Sequence, residues 1–164
     1  MLRKKMNGVK SSSAAIPTIA SRNCRMARGA QRFLEALPDL LERRGSQLEH
    51  LRSLVDAVAV ALESHPDFLR ILVVMAAQPV TVGGGEVRRV VNRVRERALV
   101  RLRDQMQITF GVDRNGDVAD RLARFALATI DGAFVASQAD PDVALGAQLQ
   151  HLPAAIVAVR RELG

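Results

Sequence analysis

The chain has 164 residues, 24 Lys and Arg against 17 Asp and Glu for a net charge of +7, and 48% apolar residues with no Tyr or Trp. That length supports one ordinary domain without disulfides or a structural metal, and a composition rich in Ala, Val and Leu favours helices packed through small residues over sheets. The single Cys24 excludes an internal disulfide and fits a reducing, cytoplasmic compartment, while the most apolar stretch, residues 143–159, is shorter than the roughly 20 residues a bilayer requires and carries Gln148, Gln150, His151 and Pro153.

Residues 1–44 hold ten Lys and Arg against three Asp and Glu, whereas residues 45–164 hold fourteen of each, so the whole excess is N-terminal. A footprint for phosphates and a solvated tail both account for such asymmetry. Residues 1–25 show no periodicity: Lys10, the serines that follow it and Pro17 interrupt any apolar run, which argues against a secretory signal and for a poorly ordered segment.

Helical character begins near Met26, where Ala30, Phe33, Leu34, Leu37, Leu40 and Leu41 recur at three- and four-residue intervals up to Arg43-Arg44-Gly45, with a bend expected at Pro38. Ser46 caps a second helix and Glu49 completes a capping box; Leu48, Leu51, Leu54, Val55, Val58 and Leu62 form its buried stripe, and it should end near His65. Pro66 and Asp67 open a third helix, apolar nearly all round from Phe68 to Ala77 apart from Arg70. After a glycine-rich connection at residues 83–85, Val87, Val90, Val91, Val94, Ala98 and Leu102 predict a long amphipathic helix ending around Gly111.

A turn at residues 112–116 leads to a helix from Asp117 to about Gln138. On it Val118, Leu122, Phe125, Thr129 and Gly132 share one side, and Ala119, Ala123, Leu127, Ile130 and Phe134 share another. A final helix, opened by Asp140-Pro141-Asp142, sets Leu145, Leu149, Leu152, Ile156 and Val159 on one side and Ala147, Ala154 and Ala158 on another. Two adjacent two-faced helices suggest a symmetric dimer seam, with Ile130, Phe134, Leu149, Leu152 and Ile156 as its contacts; burial of both helices within one chain is the competing reading.

Catalysis and metal binding find little support, and no cofactor is implied. His50, His65 and His151 lack ligand spacing or a paired nucleophile, and the loop from Asp113 to Asp117 puts Val118 and Arg124 where a calcium loop needs Gly and Glu. The loop reads instead as a helix-capping turn. Arg88, Arg89, Arg93, Arg95, Arg97, Arg101 and Arg103 point in several directions among Glu86, Glu96 and Asp104, which fits a solvated, salt-bridged face better than a nucleic-acid grip. Met75 and Met106, with Phe68, Phe110 and Phe125, are suited to line a lipophilic cavity between helices, Phe68, Met75, Met106 and Phe125 foremost, though core packing accounts for them nearly as well.

From Met26 onward the ordered set Ala-Gln-Arg-Phe-Leu-Glu-Ala-Leu, Leu-Glu-Ser-His65-Pro66-Asp67-Phe-Leu-Arg-Ile-Leu, Val-Arg-Glu-Arg-Ala-Leu-Val-Arg-Leu and Leu-Ala-Thr-Ile-Asp131-Gly132-Ala-Phe, with Ala-Asp140-Pro141-Asp142, resembles the C-terminal half of TetR-family transcriptional regulators. The resemblance implies an all-α domain over residues 26–164, a bundle of about six helices whose last two form a four-helix seam in a homodimer. It also implies a small lipophilic effector between the helices, and operator DNA as the partner of the intact family. Residues 1–25 then correspond to a remnant of the helix-turn-helix module: Gly8-Val9-Lys10-Ser11-Ser12 resembles its turn and Ala20-Ser21-Arg22 the start of the following helix. Between them Pro17 would cost about 3 kcal/mol in a helix interior, and the Tyr-x-His-Phe ending of the family's recognition helix is missing. A major-groove reader is therefore not expected to form from Lys10, Ser11, Ser12 and Arg22. A stand-alone dimeric helical domain, or a basic nucleic-acid-binding protein using the N-terminal segment and the Arg88 to Arg103 helix, is the alternative.

Overall fold

The computed structural model describes residues 28–29, 31–36, 43, 45–65, 70, 85–140 and 142–164, and every element in them is helical. The third helix expected from Pro66 to Ala77, apart from Arg70, which is helical, the bend at Pro38 and the segment 1–25 with Lys10, Ser11, Ser12 and Arg22 lie outside the described residues, as do Phe68 and Met75. Residues 31–36 are helical and bury Phe33 and Leu34.

Helix α1, Gln47–Glu63, starts as its first residues dictate. The Ser46 hydroxyl accepts from the Glu49 amide at 3.2 Å, and the Glu49 carboxylate accepts from the Ser46 amide at 2.8 Å, so two donors that the helix cannot satisfy itself are paired reciprocally. Gly45 makes room for this: its φ is +70°, and a Cβ there would stand 2.6 Å from the Glu49 carboxylate oxygen. The buried face is His50, Leu51, Leu54, Val55, Val58, Ala59, Ala61 and Leu62.

Helix α2, Gly85–Phe110, runs to Gly111, whose φ of +69° and amide bond to the Gln107 carbonyl at 2.8 Å end it in a left-handed cap. Asp113 then accepts from the Asn115 amide at 3.0 Å, an Asx turn rather than a helix cap, and α3, Asp117–Ala139, begins at Gly116 with no side-chain cap. Asp117 and Asp120 in its first turn complement the positive end of the helix.

The final helix is two helices, α4 at Leu145–Leu149 and α5 at Leu152–Glu162. Pro153 lies in the first turn of α5, where its missing N–H costs nothing; inside one continuous helix its ring would clash with the Leu149 carbonyl, so the chain breaks at Gln150 and His151.

α1 packs on α2, α4 and α5, and α3 packs on the same three, so the bundle closes as a ring of α1, α2, α3 and the α4–α5 pair around one core. Leu51, Met106, Leu122, Leu149 and Ile156 lie at its centre. A buried polar pair bridges α1 and α2: Gln105 Oε1 accepts from His50 Nε2 at 3.2 Å. No helix among the described residues is long and apolar enough to cross a membrane.

Candidate ligand pocket

Three of the seven arginines of α2, Arg95, Arg101 and Arg103, reach other elements. Arg95 pairs with Asp131 of α3 at 2.6 Å, Arg103 pairs with Asp120 of α3, and Asp104 pairs with Arg114 of the intervening turn. Arg101 Nη1 donates to the Leu34 carbonyl at 2.9 Å, and Arg43 Nη1 returns the contact by donating to the Thr109 carbonyl at 3.3 Å. The expected salt-bridged surface is thus a set of cross-links between α2 and its neighbours, whereas α3 carries the local pairs, Asp117 with Arg121 and Asp120 with Arg124.

Between α1, α2 and α3 these links frame a cavity of about 70 Å³. Leu54, Val58 and Leu62 of α1, Val94, Ala98 and Leu102 of α2, Leu127 and Ile130 of α3, and Phe33 form its apolar lining; Arg95, Arg101, Gln105 and Asp131 supply the polar groups. Phe33 is held by the His65 ring, edge to face at 6.1 Å between centroids, and His65 is itself oriented by a 2.9 Å bond from Nδ1 to the Ala61 carbonyl. Burial pushes the Asp131 carboxyl above the usual carboxylate range, against the opposing pull of Arg95. Asp120, which accepts from Arg124 and Arg103, is held below that range.

Of the residues expected to line a pocket, Phe68 and Met75 lie outside the described residues. Met106 and Phe125 do not line the cavity: Met106 is fully buried in the central core, and Phe125 is half-buried at the core's edge. Residue type suggested them, but an adaptable side chain does not specify which gap between helices it faces. Sequence reading missed Arg95, Arg101, Gln105 and Asp131. The available signal was Asp131 itself, a carboxylate set between Ile130 and Gly132 in an apolar run.

The five expected seam residues are all inside the chain's own core, Ile130 at 8% exposure, Phe134 at 3%, Leu149 at 0%, Leu152 at 3% and Ile156 at 1%. The two stripes of α3 are the margins of one broad buried face, joined by Ala126 and Ala133, which belonged to neither stripe and are both buried. Small side chains there let α2 close on one margin and α4–α5 on the other. The two-faced pattern therefore needs no second chain to explain it. The small and apolar residues left exposed on α3 are Ala128, Gly132, Val135, Ala136 and Ala139.

No cluster of His, Cys, Asp and Glu able to hold a metal occurs among the described residues. No family model matches the chain, and no curated protein matches it.

Proposed function

We propose that the chain is the effector-binding and dimerising part of a TetR-like, ligand-responsive regulator, with no DNA reader formed by residues 1–25. The observation that supports this reading best is the apolar cavity between α1, α2 and α3, carrying a few convergent polar groups, the usual make-up of a small-molecule site. A ligand there would lie between helices and alter their spacing. The homodimer of the proposal uses the exposed strip of α3, where Ala128, Gly132 and Ala136 present small side chains around Val135 and permit close approach of a symmetry mate.

The test is thermal unfolding of the full chain with neutral and charged six-carbon amphiphiles, together with sedimentation equilibrium at low micromolar concentration. The reading expects at least one amphiphile to raise Tm, and a mass of twice the chain. An unchanged Tm with every compound removes the pocket, and a strictly monomeric chain removes the dimer.

A further inference from the structure

We propose that the cavity selects a short-chain carboxylate, its head taken by Arg95 in place of Asp131 and its tail laid among Leu54, Val58 and Leu62. The inference rests on the reading of the cavity as a ligand site and adds the chemistry of what it takes.

Charge sets the sign. The described lining holds two guanidiniums, Arg95 and Arg101, and one carboxylate, Asp131. A monoanion that takes over from the ionised Asp131 leaves that balance unchanged, whereas a monocation would double the positive charge at a partly buried site. Arg95 is also the group best able to exchange partners. Its fork accepts a carboxylate through two parallel bonds, and its present partner is a carboxylate whose ionised form burial disfavours. A ligand head arriving from water can take over the guanidinium while Asp131 takes up a proton.

Position sets the orientation. Arg95 and Leu127 line both the cavity and a second, open groove on the outer surface of α2 and α3, so they form the partition between interior and solvent. Leu99, Arg124 and Ala128 complete that groove, which places a further guanidinium at the mouth. A head held at the partition and a tail directed inward follow from this arrangement.

Volume sets the length. The cavity, about 70 Å³, has room for a short hydrocarbon chain, not for a long acyl tail. Hexanoate, with five carbons beyond its carboxylate, is the probe of that class.

Isothermal titration of the full chain with hexanoate, 1-hexanol, hexylammonium and acetate tests the proposal. Hexanoate should bind about tenfold more tightly than hexanol or hexylammonium, and acetate, lacking the tail, should bind at least as weakly as those two. Arg95→Gln should bring hexanoate down to the level of hexanol and leave hexanol unchanged. Asp131→Asn, which removes the competing carboxylate at nearly constant shape, should tighten hexanoate several-fold without affecting hexanol, and keeps the test decisive should Arg95→Gln fail to fold. Hexanol or hexylammonium binding as tightly as hexanoate overturns the anion selection while leaving the pocket intact. Asp131→Asn without tightening overturns the head site at Arg95, and no binding by any six-carbon compound overturns the pocket itself.

Discussion

Ala98→Leu puts three additional carbons into the cavity from the α2 wall. At about 24 cal/mol per Å³ of void, the 70 Å³ space, which is open on one side, represents at most about 1.7 kcal/mol of unrealised packing. Ordering the leucine side chain costs about 0.5–1 kcal/mol, and Leu is nearly as good a helix former as Ala. The net expectation is a gain of at most about 1 kcal/mol, or a rise in Tm of at most about 2–4 °C for a chain of this size. Urea unfolding followed by circular dichroism measures it, and the same variant should no longer bind hexanoate because the tail's space is filled. If the gap were closed in solution, the added carbons would overpack it and cost about 1–3 kcal/mol. A fall in the urea midpoint with the slope unchanged would refute the cavity.

Three further outcomes follow from the geometry. Because burial raises the folded pKa of Asp131 above the unfolded value of about 3.9, its contribution is favourable below that pH and lost as pH rises through the folded value. Asp131→Asn should therefore gain stability relative to the parent as pH rises from about 3.9, and urea titrations giving a difference independent of pH would contradict this. Ser46→Ala removes half of the capping box of α1 and should cost about 1 kcal/mol, read as a Tm loss of about 2–4 °C; an unchanged Tm would mean the box contributes nothing. Phe134→Arg places an unpaired charge in the core and should cost more than about 3 kcal/mol, so its far-ultraviolet spectrum should report loss of the fold; a well-folded monomer would return Phe134 to an intermolecular seam.

What was legible in the sequence is what local chemistry decides. The reciprocal bonds of Ser46 and Glu49 span three residues, Gly111 ends α2 by its own φ, and the start of α3 after Gly116 follows from the turn before it. The helical class and the bounds of α1, α2 and α3 came from such signals. The break before α5 was visible as Pro153 but was outweighed by the helical spacing of Leu145, Leu149, Leu152, Ile156 and Val159. The site was not legible, because Arg95 and Asp131 meet only through the antiparallel register of α2 on α3, the same register that joins Arg103 to Asp120. A helical wheel assigns each residue a direction on its own helix and is silent on the neighbour. The alanines at 126 and 133 carried the decisive information about α3, since their small size merges two stripes into one face.

The paired donations of Arg101 to the Leu34 carbonyl and of Arg43 to the Thr109 carbonyl have a mechanical consequence. They fasten the stretch before α1 to α2 at two points eight residues apart on that helix, about 12 Å at 1.5 Å per residue. A two-point fastening resists pivoting as well as sliding. If a molecule wedged behind α2 shifts that helix, Leu34 and Arg43 must travel with it. Both fastenings end on main-chain oxygens, which do not titrate, so the two contacts stay engaged over the acid range in which Asp131 changes its charge.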